Sequence, residues 1–120
     1  MAEIHVFFPP AGPPIVRNDP EAVMAGEQIE WRFHSLRPAI KAIRIEFADK
    51  SAGFFPTPGG VLHKLDKDLG KARFVWGTAP DVPNGGARGD KYSIMALDAK
   101  GAPIVDACID PTIITEKPRP

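Results

Sequence analysis

The sequence predicts an all-β protein: a single antiparallel β-sandwich of seven or eight short strands, with at most one short helix near residues 61–69. Three observations predict it. Fourteen prolines and eleven glycines are spread through the 120 residues and break nearly every apolar run, which favours short strands joined by turns. The segment Gln28–Ser35 alternates Ile29, Trp31 and Phe33 with Glu30, Arg32 and His34, the period-two pattern of a half-buried strand. The segment Ile40–Phe47 sets Ile43, Ile45 and Phe47 against Arg44 and Glu46, so the two segments are expected to share a sheet and one core.

In chain order, the expected strands are Glu3–Phe8, Ile15–Asn18, Gln28–Ser35, Ile40–Phe47, Ala72–Trp76, Lys91–Leu97 and Ile104–Ala107, with Thr112–Thr115 closing the chain. Seven or eight short strands separated by turn signals suit a sandwich. The helical expectation rests on Val61–Leu69, where Val61, Leu62, Leu65 and Leu69 recur at spacings of three and four between flanking glycines. Thr78–Asp90, rich in Gly, Pro, Asn and Asp, reads as an exposed loop. One domain over residues 1–116 followed by a flexible tail at 117–120 accounts for the length.

Apolar residues make up 43% and charged residues 25% of the chain, the balance of a globular protein. Fifteen basic residues offset fifteen acidic ones, so no overall field draws the chain to nucleic acid or to an anionic membrane. Neither is expected as a partner. No run approaches the roughly 20 apolar residues of a membrane helix, and the apolar run Ile4–Phe8 is too short for a signal-peptide core. The single cysteine, Cys108, has no internal disulfide partner, which points to a reducing, cytoplasmic compartment.

Val23, Gly26, Glu27, Ile29 and Trp31, in the stretch Ala22–Phe47, resemble the cupredoxin-type sandwich, in which V-x-x-G-[DE]-x-[VI]-x-[WF] precedes a second apolar strand. Asp90-Lys91-Tyr92-Ser93-Ile94 is similar to that family's late strand opened by a tyrosine. Many immunoglobulin-like sandwiches share this grammar. The resemblance implies a Greek-key sandwich, with Ile29 and Trp31 in the core. It also implies a copper ligand set of two histidines, a cysteine and a methionine, and this chain departs from it. Ile40–Arg44 holds no histidine, Ile94–Ala99 holds neither cysteine nor histidine, and no histidine follows Cys108. The resemblance therefore implies a fold without electron transfer. The ending Asp106–Thr115 is similar to the Asp-Pro-x-Ile-Ile terminus of small bacterial sandwich proteins, where Asp110-Pro111 would turn the chain into its last strand.

No catalytic, cofactor-binding or metal-binding residue is expected. His5, His34 and His63 lack the short spacing that favours a shared ion, and His34, on a charged strand face, reads as solvated. Ser35, Ser51 and Ser93 lie outside any Gly-x-Ser-x-Gly elbow, and Cys108 has no basic neighbour to hold a thiolate. Pro83–Asp90, PNGGARGD, offers glycines and Arg88 to a phosphate but lacks the Gly-Lys-Ser/Thr ending and the helix of a Walker loop.

Partner binding has better candidates. Phe54 and Phe55 stand side by side on a Gly/Pro-rich loop, where they either anchor a partner or fold over the open end of the sandwich. Several strands have no polar face: Phe7 opposes Val6 and Phe8, Val75 opposes Phe74 and Trp76, and Met95 opposes Ile94 and Ala96. Such strands are either buried on both sides or present a face to another chain. The expected function is a non-enzymatic interaction or structural module, self-association included, using Phe54, Phe55, Phe7, Met95 and Arg88. The alternatives are a small-ligand or metal-binding sandwich and an enzyme whose site forms only in the fold.

Overall fold

The computed structural model describes residues 1–17, 21–34, 37–64 and 74–119. Within them the chain is all β, in the order β1 (Ala2–Phe7), β2 (Ile15–Val16), β3 (Glu21–Met24), β4 (Gln28–His34), β5 (Ala42–Phe47), β6 (Gly60–Lys64), β7 (Phe74–Thr78), β8 (Ala87–Leu97), β9 (Pro103–Ile109) and β10 (Thr112–Glu116). Two sheets pack together in a sandwich-like arrangement. One has four strands, in the order β2-β1-β4-β7. The other has six, β3-β10-β8-β5-β6, with β9 paired to β8.

Four expectations need correction. The segments Gln28–Ser35 and Ile40–Phe47, expected to share a sheet, contribute to one core from different sheets: β4 lies in the four-stranded sheet and β5 in the six-stranded one, because residues alternating apolar and polar face a common core equally well from either side of it. The sheets are mixed rather than purely antiparallel: β1 runs parallel to β4, and β3 runs parallel to β10. Direction is set by long-range partners, which local alternation does not report. The helix near 61–69 is replaced at its start by β6, whose Ile45↔Val61 and Ile43↔His63 pairings make it the edge of the six-stranded sheet. Residues 65–69 lie outside the described residues. A short apolar run reads equally as strand or helix, and here the unpaired edge of β5 decides. The expected loop 78–90 ends early, because β8 begins at Ala87 and pairs with β10 through Arg88↔Thr115 and Asp90↔Ile113.

The inner faces follow the alternation. Ile29, Trp31 and Phe33 of β4, with Ile4 and Val6 of β1, meet Ile43, Ile45 and Phe47 of β5 and Tyr92, Ile94 and Ala96 of β8 in one buried core. Gly26 takes a φ of 79° and turns β3 into β4, a conformation that glycine adopts without steric cost. The Met24 amide is held there by the Glu27 carboxylate at 3.0 Å.

The ends are tied as well. Lys117 exchanges backbone hydrogen bonds with Gly85 and Gly86 and pairs with Asp81 at 2.8 Å. Arg37 donates to the carbonyls of Pro9 and Gly12 and to Asp106 of β9, joining three segments distant in sequence. Among the described residues no helix is long and apolar enough to cross a membrane.

Candidate functional site: the outer face of the four-stranded sheet

Period-two alternation sends the odd-numbered residues of β1 and the even-numbered residues of β4 and β7 to the outer face. That face carries Glu3, His5 and Phe7, then Glu30, Arg32 and His34, then Phe74 and Trp76. Register aligns them in rows: Phe7 beside His34, His5 beside Arg32 with Phe74 next in line, and Glu3 beside Glu30 followed by Trp76. Trp76 is 43% and Phe74 39% exposed, and their rings meet edge to face at 5.7 Å. Ile15, on the flanking β2, is 60% exposed. Large apolar side chains clustered in the open mark an interaction surface more strongly than single ones do.

The polar residues between these rings are bound to one another. His5 Nδ1 lies 2.8 Å from His34 Nε2, and Glu3 lies 3.3 Å from His5 Nε2. A carboxylate only accepts, so His5 Nε2–H donates to Glu3, and of the two facing nitrogens, His5 Nδ1 and His34 Nε2, one donates to the other. Phe7 stacks on His34 with centroids 4.8 Å apart, and the Arg17 guanidinium stands 6.0 Å from the Phe7 ring centroid. Arg32 donates to Glu30 at 2.7 Å and reaches Glu3 at 3.5 Å. Glu30, only 2% exposed although it points outward, is compensated by that contact.

The structure separates the sequence candidates. Phe7 is half-buried on this face, stacked on His34 of the His5–His34 pair, which sequence reasoning did not join to it, while Phe74 and Trp76 lie two strands away on β7. His34 is half-buried against Phe7 and His5, not solvated. Phe54 and Phe55 are buried: Phe54 stacks on Phe47 at 4.3 Å and Phe55 lies 5.3 Å from Trp31. Neither ring is offered to a partner from an exposed loop. Met95 sits half-buried on the other sheet, beside Cys108 and Arg44 in the ladders. Arg88 pairs with Asp49 at 2.8 Å and with Asp90 at 3.0 Å from within β8, where a loop was expected. His63 stands on β6, 6.4 Å from Phe33.

Other chemistry is thin. A cavity of about 500 Å³ opens under the loop from Asp49 to Gly60, walled by Phe47, Phe54 and Phe55. Its lining comes almost entirely from that one loop, with no convergent polar groups from the sheets. Burial pushes the Cys108 thiol up, and Asp110 and Asp106 add to the shift, so the thiolate that a nucleophile needs is disfavoured. No three His, Cys, Asp or Glu groups converge as a ready metal cage among the described residues. No family model, curated protein or solved structure matches the chain.

Proposed function

We propose that this chain is a non-enzymatic interaction module that associates with a second copy of itself through the outer face of the β2-β1-β4-β7 sheet. The observation that carries this reading is the placement of Trp76 and Phe74 in the open on β7, next to Glu30 and Arg32 of β4 on the same outer face. Charge supports a like partner. The face mixes Arg17 and Arg32 with Glu3, and the chain balances fifteen basic against fifteen acidic residues, so two copies meet without net repulsion. A two-fold arrangement lets the arginines of one copy approach Glu3 of the other. Among the described residues β7 is the last strand of its sheet, so the aromatic pair lies where a second sheet has access.

The cupredoxin-like type of sandwich belongs to the same proposal. It is supported by Gly26 turning β3 into β4, with Ile29 and Trp31 entering the core, and by two parallel pairings that an immunoglobulin sandwich of antiparallel sheets lacks. A cytoplasmic setting, without nucleic-acid or membrane partners, completes the reading. Sedimentation velocity over a concentration series tests it: the native chain forms dimers, and Trp76→Ser with Phe74→Ser sediments as a monomer with an unchanged circular dichroism spectrum. A native chain that stays monomeric at every concentration contradicts the proposal.

A small-ligand role is the second reading, favoured by the cavity under the Asp49–Gly60 loop, whose size falls in the range of about 300–1,000 Å³ of ligand pockets. Thermal shift against a panel of small apolar compounds, compared with a Thr57→Trp variant that fills the mouth, separates it from the first.

A further inference from the structure

The His5–His34 contact lies inside the face described above, and its geometry fixes how many protons it can hold. Two imidazole nitrogens from neighbouring strands stand 2.8 Å apart, with ring centroids 5.0 Å apart and planes inclined by 17°. The rings meet end to end, and the contact holds only while one proton lies between the facing nitrogens. His5 Nε2–H is turned to Glu3 at 3.3 Å, so one added proton is accommodated: a cationic His5 donates to Glu3 on one side and to His34 on the other. A second added proton sets N–H against N–H and one positive ring against another, and the contact is lost.

We infer that this pair is an acid-operated release for the association of two copies, an inference that rests on the self-association proposed above. Charge supplies the force. Among the described residues, the ionised groups around the pair are Glu3 on β1, Glu30 and Arg32 on β4, and Arg17 just after β2, and the two acids cancel the two arginines. β7 adds Phe74, Trp76 and Thr78, which carry no charge, and the terminal amine is taken by Glu27 at 3.5 Å. Two protons per copy therefore turn a neutral face into a cationic one, and two such faces repel each other. His34 stacks on Phe7 at 4.8 Å, so losing its contact with His5 also disturbs the packing of the face. Separated copies take up these protons more readily than associated ones, and acid shifts the equilibrium toward monomer by linkage. Histidine ordinarily changes charge between about pH 5 and pH 8, above the carboxylate range, so the release comes before the acids are neutralised.

The test is sedimentation equilibrium of the untagged full-length protein at about pH 7.5 and about pH 5, the two ends of the histidine range, beside the double variant His5→Gln, His34→Gln. The native dimer is expected to dissociate at least about tenfold more readily at the lower pH, by the linkage of protons to association. The double variant, checked for folding by circular dichroism, is expected to keep one dissociation constant at both. A native dimer of equal affinity at the two pH values overturns the release and leaves the self-association standing. A native chain that is monomeric at the higher pH overturns both. A folded double variant that loses affinity in acid as the native chain does also overturns the release, because the titrating group then lies elsewhere. If the double variant is unfolded, nuclear magnetic resonance of the native protein decides. The nitrogen–nitrogen coupling across the pair must be present at the higher pH and vanish as the dimer does, and a coupling that survives dissociation in acid overturns the proposal.

Discussion

The indole Nε1 of Trp31 donates to the hydroxyl of Tyr92 at 3.2 Å, linking the four-stranded sheet to the six-stranded one through the middle of the core. Both residues are essentially buried, at 0% and 2% exposure. Phe55 packs on Trp31, and Phe47 stacks on Tyr92 at 5.0 Å. Trp31→Ala is expected to cost about 3–5 kcal/mol, the usual range for emptying a large aromatic site. Tyr92→Phe keeps the packing but leaves a buried N–H without its acceptor, at about 1–3 kcal/mol. Urea denaturation of the two variants checks the order: Trp31→Ala must be the more damaging.

A second prediction concerns Gly77, the point on β7 where the aromatic cluster meets the backbone. A Cβ added there would lie 2.8 Å from Trp31 Cζ3 and 3.1 Å from Phe55 Cε1. Both rings are locked in the core, so neither yields cheaply. Gly77→Ala is expected to lose about 1–3 kcal/mol, the usual cost of overpacking. A variant as stable as the native chain in the same denaturation experiment would show that this end of the core is loosely packed.

Much of this core is legible in the sequence, because β4 and β5 alternate cleanly and put Ile29, Trp31, Phe33, Ile43, Ile45 and Phe47 on one side. Phe7, Phe74 and Trp76 are also legible as outward residues of strands without a polar face. What local pattern does not carry is who pairs with whom. The parallel pairing of β1 with β4 brings His5 to His34, and nothing in either strand signals the other. β3 carries little signal of its own because Glu21–Met24 is four residues long and merges with the turn at Gly26. Residues 87–90 resemble a loop because Gly89 and the charges of Arg88 and Asp90 hide a strand whose charges pair with each other.

Acid stability gives a third prediction, through Asp106. The Gly12 amide, at 3.0 Å, and the Arg37 guanidinium, also at 3.0 Å, hold its carboxyl below the ordinary value of 3.8. A carboxyl whose pKa is lower in the folded state favours folding once ionised: the contribution is present above the unfolded value and is lost as pH falls through the folded one. Asp106→Asn is therefore expected to lower the melting temperature at neutral pH and to narrow its gap to the native chain as pH drops below about 4. Melting curves from pH 2 to 7 measure the gap, and a gap constant with pH would contradict the assignment.

Glu21 carries the opposite sign. Burial, with the charge of Glu27 nearby, raises its carboxyl above the ordinary value, and Oε2 is buried without a hydrogen-bond partner. A raised carboxyl disfavours the folded state when ionised, so the stability cost grows as pH rises from the unfolded value through the folded one. Glu21→Gln is expected to raise the melting temperature at pH 7 and to have little effect near pH 3. A variant less stable than the native chain at pH 7 would show that the Glu21 charge is compensated.

The central claim is that the face carrying Trp76 is an interface between two copies of this chain, and sedimentation equilibrium tests it most directly. The native protein is predicted to follow a monomer–dimer isotherm, and the Phe74→Ser, Trp76→Ser variant to stay monomeric over the same concentrations with its fold intact. A native chain that remains monomeric throughout, or a folded variant that dimerises as well as the native chain, would contradict the account.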